Sequence, residues 1–180
     1  AAIVQRTDNK DQGILSTKLH SDGTYAEKLA FLAPGSHGGY HNDQLEEPVD
    51  YGFDKSIDYG EIFFTEKMLN EGKYYPRMEG QFVFKLAVTK FPEVIGEVLE
   101  DAKLETSDIN MLIPHQANLR IASFVQKRLG LGDDQVFNNI QKYGNTTAAS
   151  IPIAFCEAWE EGKIKEGDLV CLAAFGSGFT

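Results

Sequence analysis

At 180 residues the chain can hold one domain with a substantial core, and its 42% apolar content is that of an ordinary globular protein. The formal net charge of -10 offers no basic face to nucleic acid or to an anionic membrane, and no apolar run reaches the ~18 residues that a spanning helix needs. Cys156 and Cys171 have neither metal-ligand spacing nor the pattern of a disulfide framework, so no metal site is expected and a reducing cytoplasm is the simplest location.

Ala1 to Arg6 and Ile14 to Leu19 read as two short strands joined by a polar turn through Asp8, Asn9, Asp11 and Gly13. From His20 to Tyr75 the periodicity is poor. Gly35, Gly38 and Gly39 suggest a loop, Asp43 to Glu61 is acidic with Tyr51, Phe53 and Tyr59 interleaved, and Glu61 to Asn70 reads as one short helix. Residues 35–77 thus form a long loop or insertion: a lid, an oligomer contact or an added segment. Gly80 to Lys103 is strongly helical, with an apolar stripe through Phe82 or Val83, Leu86, Phe91, Val94 or Ile95, Val98 and Ala102, and Pro92 should kink or divide it. A strand at 111–113, a helix at 118–129, a strand at 135–137, a helix from Thr147 to Glu161 and an apolar strand at 169–175 follow. Strands alternating with helices predict an α/β sheet with helices on its faces. There is no phosphate loop and no complete dinucleotide fingerprint, since the terminal GSGF has no helix after it. Ala1-Ala2-Ile3-Val4 opens inside a strand and Gly176 to Thr180 stops at a glycine turn, so a fragment cut at both ends is expected.

Two polar residues stand out in this pattern. His115 follows the apolar run Met111-Leu112-Ile113-Pro114 and precedes a helix, a handover where a side chain projects into a cleft. Asn145, after Tyr143-Gly144, sits at a second such handover. Taken singly each has an ordinary structural reading: a satisfied histidine at a strand end, and an asparagine in a turn. Taken together, a histidine and an asparagine at two helix mouths on one sheet edge can aim at one reacting atom.

The blocks PHQANLRI (114–121), YGNTTAASIPIA (143–154) and GDLVCLAAFGSGFT (167–180), with GQFVFKLAVTKF (80–91) and GILSTKLHSDGTY (13–25) before them, closely resemble the C-terminal half of β-ketoacyl-acyl carrier protein synthase III, a condensing enzyme of the thiolase superfamily. The resemblance implies one thiolase-like half spanning residues 1–180: a five-stranded mixed sheet with helices on its faces, here lacking its final strand, with residues 35–77 as an insertion. It also implies a chemistry. An acyl group passes from acyl-CoA to an active-site cysteine, malonyl-acyl carrier protein loses carbon dioxide, and the carbanion attacks the acyl-cysteine. Both thioesters are substrates, and no covalently bound cofactor is implied.

By this resemblance His115 and Asn145 donate to the thioester oxygen that gains charge on decarboxylation, and complete a triad with the cysteine. Phe175 matches an active-site phenylalanine. Ser177 matches a glycine whose backbone N–H helps hold the acyl-cysteine oxyanion. Met78, Gly80, Ala117 and Asn118 fall on the pantetheine tunnel, and Lys85 and Arg120 fall where the acidic carrier protein docks. The nucleophile belongs to the N-terminal half of such enzymes. Cys156, inside a helix, and Cys171, in an apolar strand, are expected to be buried, inert core thiols. The implied partners are acyl carrier protein, the cysteine-bearing N-terminal half and a second copy of the whole enzyme in a homodimer, with no nucleic acid and no membrane. The implied role is initiation of fatty acid synthesis. Two alternatives share some of these features: a ketosynthase or acyltransferase of secondary metabolism with the same triad, and a non-catalytic domain that binds carrier protein or a subunit. A papain-like hydrolase also uses Cys, His and Asn, but its cysteine context is missing.

Overall fold

The computed structural model describes residues 3–9, 12–30, 69, 70, 72 and 74–176. The expected helix at 61–70 apart from its last two residues, nearly all of the insertion at 35–77, and Ser177 lie outside the described residues. The chain forms two compact units, residues 1–20 with 84–175 and residues 21–83 with 176–180.

The larger unit is built on one buried strand. β3 (Met111–Pro114) pairs in parallel with β4 (Val170–Ala173), in the register Met111↔Val170 through Pro114↔Ala173. All four residues of β3 are buried. Because side chains alternate along a strand, Leu112 faces one layer and Met111 and Ile113 face the other. On the first face, Leu112 and Cys171 pack with Ala87, Phe91, Ile95 and Leu99 of helix α1 (Gly80–Ala102) and Val125 of helix α2 (Leu119–Leu129). The four α1 residues recur every fourth position, which makes one continuous helix face. On the second face, Met111 and Ile113 pack with Ala154 and Ala158 of helix α4 (Ser150–Glu160) and with Ile164. Small residues at 154 and 158 let this helix lie close on the strand. The short helix α3 (Ile140–Tyr143) precedes α4, with a 3₁₀ turn at Thr147–Ala149 between them. The order is helix, sheet, helix, as the alternating pattern predicts.

In the smaller unit, β1 (Leu29–Ala30) pairs antiparallel with β2 (Arg77–Met78). A 3₁₀ turn, Gly23–Lys28, leads into β1 and is capped by the Asp22 side chain, which accepts from the Thr24 N–H. Lys28 closes the unit with an ion pair to Glu79 at 2.9 Å, and Tyr25 packs on Phe82 with ring centroids 4.9 Å apart.

Four expectations need correction. The strands at 1–6 and 14–19 do not form among the described residues. Ile3 and Val4 are 99% and 76% exposed and Ile14 is 75% exposed, so neither side chains nor backbone there meet a neighbouring strand. The segment 16–20 is held instead by polar ends on α1: Ser16 Oγ donates to Asp101 at 2.6 Å, Lys18 pairs with Asp101 at 3.1 Å, and His20 meets Glu97 at 2.7 Å. The Asp101 carboxyl is accordingly held below its usual pKa, chiefly by the Ser16 hydroxyl and then by Lys18. Second, Pro92 does not divide α1, which is a single helix from Gly80 to Ala102. An interior proline costs roughly 3 kcal/mol, and Phe91 and Ile95, buried on either side of it, each recover about 1.5–3 kcal/mol by burial. Third, the strand at 135–137 is reduced to one parallel bridge, Leu112↔Val136, because a 3₁₀ turn takes residues 133–135. Of the expected five-stranded sheet, the described residues of this unit show the pair β3 and β4 and the single bridge at Val136. Fourth, Cys156 is exposed on the outer side of α4, while Cys171 is buried as expected. The core side of α4 is set by Ala154 and Ala158, and Cys156 lies between them on the turn that faces away.

Among the described residues no helix is long and apolar enough to cross a membrane, and no group of His, Cys, Asp and Glu is arranged to hold a metal ion.

Candidate active site

The end of β3 places His115. Its backbone N–H donates to the Ala173 carbonyl at 2.8 Å, which extends the parallel ladder by one residue and fixes where the imidazole leaves the sheet. The chain then turns, with the Ala117 N–H donating to the His115 carbonyl at 2.9 Å. Asn118 opens α2 as its N-cap, its side-chain oxygen accepting from the Arg120 N–H at 2.9 Å. Gly130, at φ 71, closes that helix in the left-handed conformation that glycine adopts without strain.

The imidazole is half-buried. Its Nδ1 lies 2.6 Å from Ser150 Oγ, and no hydrogen bond to Nε2 is made among the described residues. Burial lowers the His115 pKa from its usual 6.5, so the ring is neutral at pH 7. A neutral imidazole with one bare ring nitrogen and one N–H suits a donor to a developing oxyanion.

Asn145 stands at the other handover. Gly144, at φ 67 and ψ -158, ends α3 with its N–H donating to the Ile140 carbonyl at 2.7 Å. The Asn145 side chain is exposed, and its oxygen accepts from the Thr147 N–H at 2.8 Å. That bond uses the amide oxygen, and the NH₂, which can only donate, makes no hydrogen bond among the described residues. Thr147 itself sits at φ 52, a strained value for a β-branched residue. His115 and Asn145 make no hydrogen bond to each other. They are connected through Ser150, which contacts His115 and follows Asn145 by a single 3₁₀ turn.

Two residues that sequence reasoning missed hold this arrangement together. Gln116 is only 3% exposed and uses both ends of its amide. Its oxygen accepts from the N–H groups of Asn139 and Ile140 at 3.0 and 3.1 Å, and its NH₂ donates to the carbonyls of Pro114 and Phe137 at 2.7 and 3.4 Å. The residue after His115 thereby caps the helix that leads to Asn145. Ser150, 2% exposed, accepts from the Gln116 N–H at 3.3 Å besides meeting His115. The available signal was burial: an apolar strand entering the core predicts that the polar residue next to its exit must find partners there. Glu157 of α4 adds a further tie, accepting from Asn139 Nδ2 at 2.7 Å and from the Tyr143 hydroxyl, which together hold its carboxyl below the usual range.

The remaining sequence-predicted residues divide between the two units. Phe175 is half-buried and packs on the α1 side of the core, its ring centroid 6.4 Å from that of Phe91. Ala117 is exposed beside His115, and Asn118 spends its side-chain oxygen on the helix cap. Arg120 is exposed, with its guanidinium carbon 5.5 Å from the centroid of Phe84, which in turn meets Phe124 edge-on. Lys85 follows Phe84 on α1 and is exposed. Met78, 60% exposed, and Gly80 belong to the smaller unit. Neither cysteine has the setting of a nucleophile. Burial pushes the Cys171 thiol up to about 11, and a hydrogen bond to Glu160 at 3.5 Å raises that of Cys156.

Residues 99–180 match the family described as 3-oxoacyl-[acyl-carrier-protein (ACP)] synthase III C terminal. That span takes in β3, His115, Gln116, Asn145 and Ser150. Over these residues the chain is similar to the C-terminal part of a synthase III. It is 38% identical over its full length to the β-ketoacyl-[acyl-carrier-protein] synthase III of a Sulfurovum species, and 40% identical to that of Pectobacterium atrosepticum. It spans 46% and 47% of the lengths of these two synthases. The fold agrees. The crystal structure of the synthase III from Aquifex aeolicus superposes with a TM-score of 0.70 at 35% identity, over 97% of this chain and 44% of that one. The enzyme from Pseudomonas aeruginosa gives a TM-score of 0.71 at 28% identity, with the same coverage of both chains. The α/β fold is therefore that of a thiolase-like half, as the sequence implies.

Proposed function

We propose that this chain is the His/Asn-bearing half of an enzyme that performs a decarboxylating Claisen condensation and so starts fatty acid chains. In the first step a cysteine thiolate takes the acyl group from acyl-CoA and releases CoA. In the second, malonyl-acyl carrier protein loses carbon dioxide, and the electron pair of the broken C–C bond passes into the thioester as an enolate. In the third, the enolate carbon attacks the acyl-cysteine and expels the thiolate. The enolate oxygen carries the developing charge, and His115 Nε2–H and the Asn145 NH₂ are the donors assigned to it.

The observation that carries this reading is the pair of half-satisfied polar side chains. His115 is anchored through Nδ1 and Asn145 through its oxygen, so each keeps its other end for a substrate. The similarity to synthase III supplies the reaction class. Because Cys171 is buried and Cys156 is held by Glu160, the nucleophile is assigned to the half of such synthases that this chain does not span. From the resemblance we assign Phe175 and Ser177 to the acyl-cysteine surroundings. Met78, Gly80, Ala117 and Asn118 are assigned, by the resemblance alone, to pantetheine contacts. Lys85 and Arg120 are assigned to the acidic carrier protein, and the whole enzyme to a cytoplasmic homodimer.

The test is reconstitution of the intact protein with acyl-CoA and malonyl-acyl carrier protein, following β-ketoacyl-carrier formation by mass spectrometry. Product that depends on both thioesters is expected. Tight carrier binding without any condensed product would favour a binding module and overturn the assignment.

A further inference from the structure

The proton on the imidazole decides whether His115 can donate at all, and the residue that sets it is on α4. We propose that Ser150 is a positioning residue that holds His115 in the tautomer with its proton on Nε2. This rests on the reading of His115 as an oxyanion donor, and its test separates the two.

The inference comes from counting protons. A serine hydroxyl has one proton to give and two lone pairs to receive. Ser150 Oγ has two contacts among the described residues, Gln116 N at 3.3 Å and His115 Nδ1 at 2.6 Å. A backbone N–H only donates, so the Gln116 contact occupies a lone pair. Among the described residues the hydroxyl proton then has one hydrogen-bond acceptor, the lone pair of a bare Nδ1. Were Nδ1 protonated instead, Ser150 would receive two bonds and its own proton would be stranded in a position that is 2% exposed. With Nδ1 as acceptor, the neutral ring must carry its proton on Nε2, the nitrogen with no protein partner among the described residues. The chain Gln116 N–H to Ser150 O–H to His115 is thus a one-way series of donors, running from the sheet exit to the free edge of the imidazole. Burial of the ring adds to this by disfavouring the doubly protonated form.

The experiment is ¹⁵N NMR of the intact protein labelled at histidine, with His115 assigned by comparison with His115→Gln, alongside Ser150→Ala and Ser150→Thr. The expected result is a bare Nδ1 and a protonated Nε2 in the wild type, a mixture of tautomers in Ser150→Ala, and recovery of the single form in Ser150→Thr, which keeps the hydroxyl. A protonated Nδ1 in the neutral wild-type ring would overturn the proposal, whatever the Ser150 variants do. An unchanged tautomer in Ser150→Ala would overturn it equally. Malonyl decarboxylation is measured on the same samples, and a fall of about ten- to a hundredfold in Ser150→Ala is expected, with acyl transfer to the cysteine retained. If the tautomer shifts while decarboxylation does not, Ser150 keeps its role and the donor role of His115 falls.

Discussion

Replacing Gln116 by alanine should loosen the site and the fold together. Its amide makes four hydrogen bonds. Two of the groups it satisfies, the Asn139 N–H and the Pro114 carbonyl, belong to buried residues, whereas Ile140 and Phe137 are partly exposed and water can replace the lost partner there. A buried backbone group left without a partner costs about 1–3 kcal/mol, so the two buried groups together cost about 2–6 kcal/mol. For a chain of this size each kcal/mol moves the melting temperature by roughly 2–4 °C, which gives a fall of about 5–20 °C. Gln116→Glu should be no better at neutral pH. A carboxylate still accepts from Asn139 and Ile140 but faces two carbonyls it can no longer donate to, and it should recover in part on acidification as it regains a proton. Thermal unfolding of the intact protein by circular dichroism measures both variants. A Gln116→Ala protein that melts within about 2 °C of wild type would refute the idea that this amide joins the two handovers.

Asn145→Asp keeps the oxygen that caps Thr147 but loses the NH₂. It should leave the melting temperature nearly unchanged while slowing malonyl decarboxylation on the order of a hundred- to a thousandfold, measured as carbon dioxide release. A thiol probe should label Cys171 far more slowly than a free thiol in the folded protein, since that thiol is buried and pushed up to about 11. Cys156 is accessible but held as a thiol by Glu160, so Glu160→Gln should quicken its labelling, followed by mass spectrometry. His115 gives a pH signature. Its folded pKa lies below the usual 6.5, so below that pH the unfolded chain takes up a proton that the folded chain refuses, and stability falls as pH falls. Urea unfolding between pH 7 and 5 should therefore show a shallower decline in His115→Gln than in wild type.

What the sequence revealed was whatever local chemistry decides. The run Met111–Pro114 announced a buried strand, and His115 and Asn145 were visible as polar residues at two strand-to-helix exits. The apolar stripe announced the helix at 80–102 and its core residues Phe91 and Ile95, but named Leu86 and Val98 where Ala87 and Leu99 are the buried ones. The less legible features depend on neighbours distant in the chain. Residues 14–19 have strand-like composition, but a strand needs a partner for its backbone, and the described residues supply none. Pro92 breaks isolated helices, yet the core face of α1 continues on both sides of it. Cys156 and Ala154 are both apolar and two residues apart, and only the packing of α4 against β3 decides which one is buried. Gln116 and Ser150 were overlooked because their importance lies in the four segments they tie, 114, 137, 139–140 and 150, which are separate in sequence and meet only at the end of β3.

The central claim is that His115 acts on the malonyl thioester and not on loading of the cysteine. The most direct measurement compares two quantities in intact His115→Ala protein: acyl-enzyme formation from acyl-CoA, by mass spectrometry, and carbon dioxide release from malonyl-acyl carrier protein. Acylation should persist close to the wild-type rate, and carbon dioxide release should fall on the order of a hundred- to a thousandfold. Loss of acylation with decarboxylation left intact would contradict the account.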